Sequence, residues 1–255
     1  MTRPATYPSL QDRVALITGG ASGIGAEMVR QFAQNGAKVA FLDIQDETAQ
    51  ALVAELAPCA HAPRFLHCDV TDIPALRATI EEVHASLGPI TVLINNAGND
   101  ERHASAEVSP EYWQRVLAVN LHHQFFACQA VRPQMRSVGG GAIVNLSSIA
   151  WMGGGAPNLV AYSSAKAAIV GMTNSLAREF GEDRIRVNAI APGAVITPRQ
   201  VELWYSDADV DAIVARQCLK ERLLAEDVAR MALFLAADDS RMITKQCFVV
   251  DAGLR

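Results

Sequence analysis

The sequence predicts one α/β domain of the doubly wound type, with a seven-stranded parallel sheet flanked by helices. Three observations carry that prediction. Short runs rich in Val, Ile and Leu alternate with longer amphipathic stretches along the whole chain. The short runs are apolar throughout instead of alternating in polarity, as strands covered on both faces are. Strand–helix alternation then implies parallel pairing through right-handed crossovers.

Taken in order, "RVALIT" (13–18) is the first strand, and the glycine-rich "TGGASGIG" leads from it into a helix over 23–35. "AKVAFL" (37–42) and "RFLHC" (64–68) follow, each before a helical stretch, at 46–57 and 73–87. "ITVLIN" (90–95) precedes one long helix over 109–136, and "GAIVNLS" (141–147) precedes another over 160–180. "IRVNAI" (185–190), a helix over 226–237 and "QCFVV" (246–250) complete the pattern. The segment 198–226 breaks the rhythm, carrying Trp204, Tyr205 and several charges. It is expected to lie as a lid over the strand ends, where ligands bind in such sheets.

The 255 residues fit a single domain, with 50% hydrophobic and 19% charged residues and no linker or repeat to divide them. A net charge of −5 offers no basic face for nucleic acid. No apolar run reaches the ~18 residues of a membrane span, and "MTRPATYPSL" has no signal-peptide core, so a cytoplasmic protein is expected. The five cysteines are scattered, with no C-x-x-C pair, and the six histidines show no H-E-x-x-H spacing, even at the adjacent His122 and His123. Neither disulfide nor metal is expected. Asn145-Leu146-Ser147 has the form of a glycosylation acceptor but sits in a strand-like run.

The turn "TGGASGIG" spaces Gly19, Gly23 and Gly25 so that backbone can approach a pyrophosphate and aim helix N-terminal N–H groups at it. Asp43 ends the second strand eighteen residues after Gly25, where an acid accepts from the ribose hydroxyls of a dinucleotide. Such a carboxylate repels a 2′-phosphate, and no Lys or Arg stands at Ala21, Ser22, Ile44 or Gln45, so NAD is favoured over NADP. Asp43 could also be a strand-end cap, and Asp69 of "CDVT" either a helix-start residue or an adenine contact. Tyr162 and Lys166 in "AYSSAK" are spaced i to i+4, one helical turn apart on one face. A phenol with pKa ~10 is a poor base at neutral pH, and an ammonium beside it favours the phenolate.

These pieces, with "NNAG" (95–98), Val119-Asn120, "NLSS" (145–148), "IRVNAIAPG" (185–193) and "DAG" (251–253), resemble the short-chain dehydrogenase/reductase family along essentially the whole chain. The resemblance implies a Rossmann fold and a catalytic tetrad of Asn120, Ser148, Tyr162 and Lys166. Tyr162 would be the base. Lys166 would lower its pKa and hold the nicotinamide ribose, Ser148 would bind the substrate oxygen, and Asn120 would position a water for proton exit. The family pattern favours Ser148 over Ser147, although fourteen positions and three consecutive glycines separate Ser148 from Tyr162. The resemblance also implies NAD contacts at Gly19, Ser22, Gly23, Ile24, Gly25, Asp43, Ile44, Asp69, Val70, Asn96, Ala97, Gly98, Pro192, Gly193, Val195 and Thr197, besides Tyr162 and Lys166. A homotetramer packed through the helices at 109–136 and 160–180 is expected on the same basis.

The loops suggest the substrate. Asn99, Asp100, Arg102 and His103 of "NDERH", with Gln200, supply donors and acceptors, while Trp151 and Trp204 could cover the C–H face of a ring beside Ser148 and Tyr162. "YPSL", "NNAGNDERH", "TPRQ" with "WY" nearby and "QCLK" resemble bacterial aldose 1-dehydrogenases of the D-xylose type. That implies oxidation of a pentose such as D-xylose or L-arabinose, or a galactose-like hexose, at C1 to the aldonolactone. Alternatives are reduction of a 3-oxoacyl thioester, oxidation of a keto-deoxy sugar acid, or a cofactor-binding regulator without chemistry.

Overall fold

A computed structural model describes residues 5–153 and 157–255. Residues 1–4 of the N-terminal stretch, and Gly154 and Gly155 of the triple glycine, lie outside the described residues.

All seven expected strands form: β1 (Val14–Thr18), β2 (Lys38–Asp43), β3 (Arg64–His67), β4 (Ile90–Asn95), β5 (Gly141–Leu146), β6 (Ile185–Pro192) and β7 (Cys247–Val250). They make one parallel sheet in the order β3-β2-β1-β4-β5-β6-β7. The order reverses between β1 and β4, which opens a crevice at their carboxyl ends.

Successive side chains of a strand point to opposite faces, and here both faces are covered. Ala15 and Ile17 of β1 pack into one apolar cluster with Phe32 of α1 (Gly23–Gln34) and Phe41 of β2. Val14 and Leu16 pack into the other, with Leu76 and Ile80 of a helix that follows β3. Every residue of β1 is buried, which is why the run carries no polar alternation.

α2 (Asp46–Glu55) and α3 (Ile73–Leu87) fall where expected. The long helix expected over 109–136 forms without a break from Pro110 to Ser137, but not as α-helix throughout. It divides into α4 (Pro110–Leu117), a π-helical turn (Ala118–His122) and α5 (His123–Ser137). Ser109 caps the first piece by accepting from the Tyr112 N–H at 3.2 Å, with Pro110 at the first helical position, where its missing N–H costs nothing. The π-turn inserts one residue into a continuous amphipathic run, an irregularity common at functional sites.

α6 (Val160–Phe180) is the 21-residue helix that carries Tyr162 and Lys166. The expected lid contains two short helices, α7 (Pro198–Leu203) and α8 (Asp207–Arg216), before α9 (Ala225–Ala236) packs against α1. Thr197 caps α7 through Gln200, and Ser206 with Asp209 forms a reciprocal cap on α8. Among the described residues no helix is long and apolar enough to cross a membrane. Asn145 is fully buried within β5, out of reach of any glycosylating enzyme.

Candidate active site

A cleft of about 860 Å³ runs along the carboxyl ends of the strands, from the glycine turn past α6 to α7. That is the size range of pockets that hold a cofactor or small ligand.

The glycine turn leaves β1 at Gly19, whose φ of +66° lies in the left-handed region. Gly19 and Gly20 donate to the Leu42 carbonyl at 2.7 and 3.2 Å, tying the turn to β2. A Cβ on Gly25 would stand 1.8 Å from the Gly19 carbonyl oxygen, so only glycine fits. Asn96 clamps the turn from the other side, donating to the carbonyls of Thr18 and Gly19 at 3.1 and 2.9 Å. Ser22 stands at the N-cap of α1 but makes no side-chain cap, which leaves the first-turn N–H groups of this twelve-residue helix for an anion in the cleft. Gly23 and Ile24 line the cleft with them. The donor set and the close backbone approach fit a dinucleotide pyrophosphate.

Asp43 is 8% exposed at the end of β2, and its carboxylate is held by backbone N–H groups without capping α2. One carboxylate oxygen accepts from the Ala21 N–H at 2.9 Å, and the other from the N–H groups of Ile44 and Gln45 at 2.8 and 3.1 Å. The acid thus links the glycine turn to the end of β2 while lining the cleft. Asp69 also lines it, but its oxygen accepts from the Thr71 N–H and hydroxyl at 2.9 and 2.8 Å, the bonds of a local turn. Val70, Ala97, Gly98, Pro192, Gly193, Val195 and Thr197 fall in the same wall.

Tyr162 and Lys166 share one face of α6, with the Lys166 Nζ 5.5 Å from the tyrosine ring centroid. The ammonium is buried and donates to the Leu146 carbonyl at the end of β5, at 2.8 Å. Burial lowers its pKa to about 8, against a smaller opposing pull from Asp100. Tyr162 is pushed above its ordinary 10 by burial and by the charge of Asp100, with Ser148 and Arg199 working the other way. That direction is opposite to the one expected from the Tyr–Lys pairing alone, because burial of the phenol and then the Asp100 charge outweigh the pairing.

The two serines separate cleanly. Ser147 is buried, donating to the Lys166 carbonyl at 2.7 Å and accepting from the Trp151 indole at 3.2 Å. Ser148 accepts from the Ala150 N–H at 3.1 Å and lines the cleft together with Tyr162. Asn120 lies in the π-turn, fully buried behind the cleft wall, and donates to the carbonyls of Val116 and Asn99 at 3.0 Å each. His123, not singled out from the sequence, is buried next to it with a pKa lowered to about 3, mainly by burial. Its neutral ring donates from Nε2 to the Ala97 carbonyl at 3.1 Å, bracing the cofactor wall. Among the described residues no group of His, Cys, Asp or Glu could hold a metal.

At the far end Asn99, Asp100, Arg102 and Gln200 meet. Arg199 donates to Asp100 at 2.5 Å and to the Asn99 side chain at 2.9 Å, and Gln200 donates to Asp100 at 2.9 Å. Burial would raise the Asp100 pKa, but these bonds outweigh it and hold the carboxyl below its ordinary 3.8. His103, Trp151 and Trp204 are not part of this wall. His103 stacks on Tyr112 at 4.4 Å, Trp151 turns its indole N–H to Ser147, and Trp204 lies under the Arg102 guanidinium at 4.4 Å. Arg199 and Tyr205 line the cleft instead. The arginine stands between two residues singled out in the sequence, in "TPRQ", but only its partner across the cleft reveals its place.

Residues 19–255 match the family model described as enoyl-(acyl carrier protein) reductase. The chain is 47% identical to a protein of Rhizobium meliloti named as a probable galactose dehydrogenase, over 100% of both chains. It is 49% identical to a D-xylose 1-dehydrogenase of Caulobacter vibrioides, over 98% of this chain and 99% of the other. Among solved structures, a 7α-hydroxysteroid dehydrogenase complexed with NADH and 7-oxo glycochenodeoxycholic acid superimposes with a TM-score of 0.92 at 29% identity, over 97% of this chain and 96% of that one.

Proposed function

The chain belongs to the short-chain dehydrogenase/reductase family and is an oxidoreductase, and from that premise we propose that it oxidises a cyclic aldose at C1 to the aldonolactone, with NAD preferred over NADP. The observation that carries the substrate reading is the polar wall facing Tyr162, where Asn99, Asp100, Arg199 and Gln200 converge. A polyhydroxylated ring needs such a mixture of donors and acceptors, whereas an acyl chain needs an apolar groove. The names of the two sugar-oxidising relatives support the same class.

In this reading the C1 hydroxyl lies between Ser148 and Tyr162. Ser148 hydrogen-bonds its oxygen, and Tyr162 takes its proton. An oxidised nicotinamide, when bound, would supply the hydride acceptor. Lys166, fixed on the Leu146 carbonyl with its ammonium 5.5 Å from the Tyr162 ring centroid, would hold the nicotinamide ribose. Asn120 connects that end of the site to Asn99, from which protons reach solvent through water. Asp43 at the ribose end, with no Lys or Arg at Ile44 or Gln45, supports NAD. Phe125 on α5 and Val160 on α6 stay partly exposed, which supports a homotetramer packed through these helices. The localisation proposed is cytoplasmic.

A panel of pentoses, hexoses, sugar acids and 3-oxoacyl thioesters, assayed with NAD(H) and NADP(H) by nicotinamide absorbance, tests the reading. NAD reduction with one or two aldoses and detection of the lactone is expected. Turnover confined to a sugar acid or an oxoacyl thioester would replace it.

A further inference from the structure

The lid helix α7 and the loop after β4 are joined by bonds centred on one carboxylate. Asp100 is only 17% exposed at its side chain, and two bonds converge there, Arg199 Nη1 and Gln200 Nε2 donating to its two oxygens, while Arg199 Nη2 donates to the neighbouring Asn99. The same guanidinium therefore holds two adjacent loop residues, a planar fork that lysine cannot reproduce. A second contact, Arg102 over the Trp204 ring, joins the same two segments further along.

We propose that Arg199 is a positioning residue of the active site, which clamps Asp100 to the lid and offsets that carboxylate's charge where it faces the phenol of Tyr162. The inference rests on Tyr162 being the base of the proposed reaction. Asp100, Arg199, Tyr162, Tyr205 and Lys166 all line the one cleft, so their charges act across it and not through bulk water. Asp100 and Tyr205 oppose the phenolate, while Arg199 and the hydroxyl of Ser148 favour it. Lys166 lies 5.5 Å from the ring, and His123 beyond it stays neutral. Burial opposes the phenolate most; among the charges that oppose it Asp100 comes first, and Arg199 bonds to that carboxylate directly.

The test uses Arg199→Gln, Arg199→Lys and Arg199→Gln combined with Asp100→Asn, in the full-length enzyme with whichever alcohol the wild type oxidises. In Arg199→Gln the rising limb of log kcat/KM against pH should move to higher pH, with about a tenfold loss at neutral pH for each unit of movement. Arg199→Lys should leave the limb in place and raise KM, because the charge survives and the fork does not. The double variant should return the limb to the wild-type position or below it. Hydrogen exchange across 198–203, measured without nucleotide, should quicken in both single variants. A limb unmoved in Arg199→Gln, or exchange unmoved, would overturn the proposal. Turnover of a non-sugar alcohol alone would overturn the sugar reading instead, and leave this comparison intact.

Discussion

Asn120 and Asn99 bond reciprocally: the Asn120 carboxamide donates to the Asn99 carbonyl and accepts from the Asn99 N–H, both at 3.0 Å. The π-turn makes this possible by rotating Asn120 out of an α-helical position toward the loop after β4. Because Asn99 is followed directly by Asp100, the clamp on the lid begins at Asn120. Asn120→Ala should lower turnover by about 10- to 100-fold through misplacement of that loop, and cost about 1 kcal/mol of stability. Steady-state kinetics and thermal unfolding measure both; unchanged kinetics would remove Asn120 from the site.

Tyr162→Phe removes only the phenolic oxygen from a ring held by α6. Neither the glycine turn nor Asp43 touches that oxygen, so nucleotide binding should be retained within about twofold while turnover is abolished. Titration of reduced-nicotinamide fluorescence, beside an activity assay, separates the two. Comparable rates in the variant would refute the assignment of the base.

The buried ammonium of Lys166 makes a stability prediction with a definite sign. Its pKa in the folded protein is about 8, below the ordinary 10.5. Between those values the unfolded chain binds the proton and the folded chain does not, so stability rises with pH across that window. Below pH 8 the charge is buried in the folded state, at a cost of about 3 kcal/mol. Lys166→Met keeps the stem and removes the charge, with loss of the charged bond to the Leu146 carbonyl setting about 1.5 kcal/mol or more against it. The variant, inactive, should unfold at higher temperature than wild type at pH 7 without nucleotide. Its advantage should shrink toward pH 10. A lower unfolding temperature at pH 7 would show that the hydrogen bond outweighs the desolvation.

The strands were legible because strands buried on both faces leave an uninterrupted apolar run, and β1 is buried at every position. The π-turn was not, since "VLAVNLHHQ" contains no Gly or Pro and its polarity still suits a helix. The glycine turn, Tyr162 and Lys166 were legible because their spacing is local. His103, Trp151 and Trp204 suited a sugar by chemistry, yet each is drawn to a neighbour that local sequence does not reveal, Tyr112, Ser147 and Arg102. Arg199 escaped notice for the converse reason: its partner Asp100 lies ninety-nine positions away along the chain.

Asp43 gives the cofactor prediction, complicated by its second role. Its oxygens accept from the Ala21, Ile44 and Gln45 N–H groups, so removing it loosens the junction between the glycine turn and β2 as well as removing a negative charge. Asp43→Ala alone should weaken both nucleotides and lower the unfolding temperature, chiefly through the buried Ala21 N–H left unpaired at about 1–3 kcal/mol. Adding Ile44→Arg places a guanidinium at the rim, where Ile44 is 61% exposed. The double variant should move the ratio of kcat/KM for NADP over NAD upward by about 100-fold or more, since a repelled 2′-phosphate becomes a paired one. The ratio, unlike either rate, is insensitive to the general loosening, because both nucleotides share the pyrophosphate and nicotinamide sites. An unchanged ratio would mean that Asp43 serves the turn and not the ribose.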